Sequence, residues 1–312
     1  MTTLDPQVSK LLAALSETPP VPPWEVPIAT FRSAGERLTA LAGAPNTRCD
    51  MQDFGIRLPG RLLQARHYRP QGATGSLAGV VYFHGGGFVR GSLDSHDRLC
   101  RELSVRGGFA VVAVAYRLAP EHVFPHAHDD AIEAFRWVAE HADELTLERD
   151  ALAVAGDSAG ALLAASTAVG LRERAGGPQA RAQGLLCPVL DVTLANESVA
   201  RNADAPFLPR PVLEWCIEQY FPDPRDRQSA GASPSMRPSL AGAPPAVIIS
   251  AEIDPVSDDA RQFAARLEDA GVSSELHEFP GMPHSFFLMA GVLDHGERAI
   301  LTFAEKLSAL LR

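Results

Sequence analysis

The chain has 312 residues, 46% hydrophobic and 21% charged, with a formal net charge of -10 and a pI near 5.5. This is the composition of a soluble, well-cored protein of one large domain or two small ones. The acidic balance argues against nucleic acid or an anionic membrane surface as a partner, and the lysines, Lys10 and Lys306 alone, argue against lysine-based catalysis in the middle of the chain.

The chain starts Met1-Thr2-Thr3-Leu4-Asp5-Pro6, with neither a basic start nor an apolar core of leader length. The longest apolar run, Phe109 to Tyr116, is far below the roughly 20 residues of a membrane-spanning helix. Cys49, Cys100, Cys187 and Cys216 are widely spaced and form no Cys-x-x-Cys pair, so free thiols in a reducing, cytoplasmic setting are expected. Residues 1–50 read as helices interrupted by Pro19, Pro20, Pro22 and Pro23, an N-terminal cap segment ahead of the main fold. From Met51 to Tyr68 two alternating segments flank Leu58-Pro59-Gly60-Arg61, the pattern of a hairpin. Apolar strands then alternate with amphipathic helices. Strands are expected at Val80–Phe83, Ala110–Ala115, Leu152–Ala155, Leu185–Val189, Ala246–Ser250 and Glu275–Phe279. Helices are expected near 96–106, 127–140 and 161–174, the whole giving about eight mostly parallel strands with helices on both faces. Residues 51–190 and 244–312 form this α/β core. The stretch 191–243 is too long for an ordinary connection and carries seven prolines, Phe207, Trp215, Tyr220 and Phe221, so it is read as a helical cap insertion.

Gly156-Asp157-Ser158-Ala159-Gly160 follows an apolar strand and precedes a helical stretch. A serine on so tight a strand-to-helix turn needs small residues two before and two after it, which Gly156 and Gly160 supply, and the helix N-terminus behind it favours developing negative charge. Ser158 is therefore the candidate nucleophile. His84-Gly85-Gly86-Gly87-Phe88 comes straight after the strand Val80–Phe83, where bare backbone N–H groups can meet an oxyanion. Gly86, Gly87 and Ala159 are assigned that task, each preorganised donor being worth about 2.7 to 4 kcal/mol of barrier. A phosphate-binding reading of the same glycines fails, because Arg90 and Ser92 stand where a dinucleotide fingerprint or a Walker loop needs glycine or lysine.

His284, in the turn after the last expected strand, is the candidate base, in the chain order serine, acid, histidine. Asp254, after the strand Ala246–Ser250, is the candidate acid, better placed than Asp191 or Asp258; Asp258 and Asp259 read as helix-starting acids. His122, His126, His128, Asp129 and Asp130 cluster in sequence, but Pro120 and Pro125 make this a loop entering a helix, and no metal is assigned. No cofactor is called for. Trp24, Phe31, Phe207, Leu208, Val212 and Trp215 are expected to wall a substrate pocket, the alternative being that they only pack the cap on the body.

These segments, with Tyr116-Arg117-Leu118-Ala119-Pro120-Glu121-His122, resemble the hormone-sensitive-lipase-like family of α/β-hydrolases, the bacterial family IV esterases. Asp254-Pro255-Val256-Ser257-Asp258-Asp259 and Gly281-Met282-Pro283-His284 echo it more faintly. The likeness spans residues 78–290. It implies an α/β-hydrolase fold with a cap and a cofactor-free serine esterase acting on short- to medium-chain acyl esters. It places the family's triad on Ser158, Asp254 and His284 and its oxyanion donors on Gly86, Gly87 and Ala159. By the same analogy a homodimer through the strand Glu275–Phe279 is expected. Ala161, Ala115, Pro283 and Val256 depart from the family pattern. The motifs leave open an amidase or peptidase on the same triad, or a non-catalytic ligand receptor on this fold.

Overall fold

Alternating side chains and the Pro59-Gly60 turn produce the antiparallel hairpin β1 (Cys49–Leu58) and β2 (Arg61–Pro70), paired from Cys49 opposite Pro70 to Leu58 opposite Arg61. The structure, a computed structural model, describes residues 3–16, 21–172 and 177–312. Pro19 and Pro20, and residues 173–174 of the helix expected over 161–174, lie outside the described residues.

The remaining strands are β3 (Leu77–Phe83), β4 (Ala110–Ala115), β5 (Leu147–Asp157), β6 (Ala182–Leu186), β7 (Ala246–Ile253) and β8 (Ser274–Pro283). They form one sheet in the order β1-β2-β4-β3-β5-β6-β7-β8. β2 pairs antiparallel with β4, and every pair from β4 to β8 is parallel. Side chains alternate between the faces, so Val81 and Phe83 of β3 enter one core while Val80 and Tyr82 enter the other. The first face is covered by α4 (His126–Glu140), α5 (Ala159–Arg172) and α8 (Ser257–Asp269). The second is covered by α3 (Asp97–Gly107) and α9 (Asp294–Leu311).

The strand expected over Leu185–Val189 lies three residues earlier. Pro188 has no N–H to donate, and the chain turns at Cys187, whose φ is +42°. The turn sends Leu186 O to Ser158 N at 2.8 Å and Val189 N to Ser158 O at 3.3 Å, so the end of β6 holds the turn that carries Ser158.

The first 50 residues divide. Asp5 caps α1 (Pro6–Leu15), accepting from Gln7 N at 2.7 Å, and α1 docks on the body by Asp5 N to Gly281 O at 3.2 Å, with Val8 fully buried. By contrast α2 (Ile28–Arg37) lies over the carboxyl ends of the strands. Arg32 pins it there, donating to the carbonyls of Val89 and Ala119 and to both oxygens of Glu121 at 2.6–2.9 Å. Within 191–243 the helices are α6 (Glu197–Arg201) and α7 (Arg210–Tyr220). Phe31 meets Trp215 edge to face at 5.2 Å and so joins α2 to α7.

Candidate active site

Ser158 sits between β5 and α5 with φ +52°, a strained value for a residue with a side chain. The strain persists because strand, turn and helix are in van der Waals contact. A Cβ on Gly156 would be 2.5 Å from the Gly160 carbonyl carbon, and one on Gly160 would collide with Phe83 O. His284 follows β8 and Asp254 follows β7, so two neighbouring parallel strands deliver the two side chains to the same end of the sheet.

His284 Nε2 is 2.9 Å from Ser158 Oγ, and His284 Nδ1 is 2.7 Å from Asp254 Oδ2. An ionised Asp254 can only accept, so Nδ1 carries the hydrogen and Nε2 is left to accept from the serine hydroxyl. Asp254, 1% exposed, is steadied by Val256 N on its Oδ1 at 3.0 Å, and Asn202 Nδ2 donates to its main-chain carbonyl at 2.8 Å. The rival acids are engaged elsewhere. Asp191 Oδ1 accepts from Thr193 N and Oγ1, and Asp258 pairs with Arg201 and Arg261. Asp259 does more than start α8: it is buried and accepts from Leu190 N, Asp191 N and Asn196, and burial pushes its carboxyl up to about 7.

Gly86 and Gly87 have φ of +123° and +63°. A Cβ on Gly87 would be 2.7 Å from Cys216 Sγ, so α7 leaves no room for one. Among the described residues, the N–H groups of Gly86, Gly87 and Ala159 have no hydrogen-bond acceptor, which leaves three donors for a ligand oxygen near Ser158. Sequence reasoning missed what braces this loop. Asp157 Oδ1 accepts from Gly85 N and the Tyr82 hydroxyl, both at 2.8 Å, and lies 3.1 Å from His96 Nε2. Burial pushes the Asp157 carboxyl up, but His96, Tyr82 and Gly85 outweigh it and hold it below its ordinary value. His84 stacks on Tyr116 at 4.4 Å, and the Tyr116 hydroxyl donates to His84 O at 2.7 Å. A charged residue at the buried end of β5 was the signal available in sequence. Cys187 was also missed as a neighbour of this site: its sulfur lies with Asp254 and His284 donor atoms within 4.8 Å of one another. Burial first, then Asp254, pushes its thiol well above the ordinary value.

A cavity of about 140 Å³ opens on Ser158, His284, Gly86, Gly87 and Ala159. Of the expected wall residues, Phe207, Leu208 and Val212 line it, with Leu213, Leu288 and Met289. Trp24, Phe31 and Trp215 do not: Trp24 is 50% exposed, while Phe31 and Trp215 turn toward each other between α2 and α7. That aromatic pair packs α2 against α7, and the cavity walls are largely apolar, Phe88 and Phe207 standing among aliphatic side chains. The His122–Asp130 segment does not converge on one point. Asp130 pairs with Arg61 and Arg117, His126 Nδ1 meets Val123 O, and His128 Nδ1 meets the Tyr220 hydroxyl.

Residues 80–288 match a family model described as alpha/beta hydrolase fold. Curated relatives include an ethyl acetate hydrolase of Pseudomonas putida, 39% identical over 80% of this chain and 79% of that protein. They also include the carboxylesterase NlhH of Mycobacterium tuberculosis, 40% identical over 74% and 73%. Among solved structures, a thermostable esterase from Pseudomonas putida ECU1011 superposes with a TM-score of 0.95 at 30% identity, covering 99% of this chain and 98% of that one.

Proposed function

Since the chain belongs to the hormone-sensitive-lipase-like family of α/β-hydrolases, we propose that it hydrolyses carboxylic esters with Ser158 as nucleophile, His284 as base and Asp254 as acid partner. The observation that carries this is the unbroken line Ser158 Oγ, His284, Asp254 at 2.9 and 2.7 Å, beside three unpaired N–H donors. Ser158 Oγ attacks the ester carbonyl as its proton passes to His284 Nε2, and Asp254 stabilises the resulting imidazolium. The tetrahedral oxyanion meets the N–H groups of Gly86, Gly87 and Ala159. Collapse expels the alcohol, which takes the proton from Nε2. Water, deprotonated by Nε2, then attacks the acyl carbon; the bond to Ser158 Oγ breaks, Nε2 returns the proton to Oγ, and the acid leaves.

The largely apolar walls support short- to medium-chain acyl groups as substrates. In the same proposal α2 with the 191–243 insertion is the cap, and the location is cytoplasmic, supported by four unpaired cysteines. No helix among the described residues is long and apolar enough to cross a membrane. The edge position of β8 supports a homodimer, which light scattering checks.

The deciding experiment is hydrolysis of p-nitrophenyl esters, acetate to dodecanoate, by the wild type and by Ser158→Ala. The expected result is turnover of the shorter esters and a loss of at least about a thousandfold in the variant. A folded wild type inactive on every ester, or a variant as active as wild type, overturns the assignment. Parallel anilide substrates separate amide from ester hydrolysis.

A further inference from the structure

One charge in the cavity has no part in the ester chemistry. Arg90 lines the same cavity as Ser158. Its stem crosses the oxyanion loop, where a Cβ on Gly86 would lie 3.1 Å from Arg90 Cγ. Its head passes the bare backbone of Gly35 on α2, where a Cβ would lie 3.0 Å from Cδ and 3.3 Å from Nη1. The guanidinium carbon is 4.6 Å from the centre of the Phe31 ring. That stacking supports the planar cation through its face but uses none of its five N–H donors.

Among the described residues Arg90 has neither an ion-pair partner nor a hydrogen-bond acceptor. Arg32, Arg61, Arg66 and Arg117, by contrast, are each bound to carboxylates. The acids lining the cavity do not compensate it. Glu36 is exposed and, among the described residues, makes no ion pair, while Asp157 is occupied by Tyr82, Gly85 and His96. Arg90 lines the cavity, and its nitrogens, unlike Arg98 Nε, keep some accessible surface. Burial lowers the guanidinium from its ordinary value, the mark of a cation without a counter-charge, yet an arginine stays charged at neutral pH. An uncompensated cation among largely apolar walls is costly unless an anion joins it.

We infer that Arg90 is a specificity-determining residue whose guanidinium receives a carboxylate carried by the substrate, so that esters bearing a free acid group are favoured over neutral esters of the same size. This rests on the ester-hydrolase reading. The acid can belong to the acyl half, as in a monoester of a dicarboxylic acid, or to the alcohol half.

The test measures kcat/KM for two matched pairs: p-nitrophenyl hemiglutarate against p-nitrophenyl valerate, and 4-acetoxybenzoate against its methyl ester. The enzymes are the wild type, Arg90→Met and Arg90→Lys. The expected result is that in one pair, which identifies the half that carries the acid, the acid-to-neutral ratio falls at least about tenfold in Arg90→Met. Arg90→Lys, which keeps the charge, restores part of it, a rescue that a merely structural role would not produce. Raising the salt from about 0.01 M to about 1 M lowers the wild-type ratio in the same pair, a readout that holds even if Arg90→Met does not fold. A ratio unmoved by either variant and by salt, in both pairs, overturns the inference while the neutral esters still turn over. Failure of the wild type on all four esters instead overturns the ester-hydrolase reading beneath it.

Discussion

Ser158, His284 and Asp254 illustrate how little of a site's chemistry resides in the residue types. The same imidazole beside Val123 O, as in His126, only ties the start of α4 to the preceding turn. Between Asp254 and Ser158 it has a defined tautomer, because a carboxylate that can only accept puts the hydrogen on Nδ1. Asp254→Asn tests that argument. The amide can present its NH2 to Nδ1, favouring the tautomer whose Nε2 already carries a hydrogen and cannot take the serine proton. We expect kcat for a p-nitrophenyl ester to fall about 10⁴-fold with the fold intact by circular dichroism. A loss below about tenfold would assign Asp254 a packing role only.

At the scale of elements, the cavity exists because α2 and α7 are held over the strand ends. Arg32 makes four charge-assisted contacts, and two of its acceptors, Val89 O and Ala119 O, lie on loops adjoining the glycine turn. The segment Tyr116–His122, recognisable in sequence, therefore serves as the socket for α2: Ala119 supplies a carbonyl and Glu121 a carboxylate. Arg32→Met removes every one of these bonds while keeping an apolar stem, at a cost on the order of 2 kcal/mol. The expected consequences are faster amide exchange across Ile28–Arg37 and a severalfold higher KM, with kcat much less affected. Unchanged exchange there would show that the Phe31–Trp215 contact alone holds α2.

For the molecule as a whole, acid is the weak point. Burial lowers His84 to about 4 and His128 to about 3, against 6.5 for the free side chain. Between those values the unfolded chain binds protons that the folded chain refuses. The contribution of these histidines, with His67 also lowered to about 4, is thus full above pH 6.5 and drains as the pH falls toward 4, each by up to about 1.4 kcal/mol per pH unit. Asp259, raised to about 7, offsets one of them over the same range. His128 is surrounded by Phe88, Phe124, Tyr220 and Phe221, so His128→Phe keeps the packing and removes one titration. Urea midpoints measured from pH 7.5 to 5 should fall steeply for the wild type and less steeply for the variant. Parallel curves would mean that His128 does not govern the slope.

The sequence alone was enough for whatever is local. Alternation and short turns determine the strands, paired glycines around Ser158 mark the tight turn, and chain order points to His284 and Asp254. The shift of β6 was hidden because an apolar run does not show where a proline and a positive φ end the pairing. Only the tertiary structure decided which aromatics line the cavity, because Phe31 and Trp215 carry the same apolar signal as Phe207 and differ only in what they meet. The same holds for Asp157, His96 and Arg90. Whether a charge is braced or left open depends on partners brought from distant parts of the chain, and composition and spacing carry no record of them.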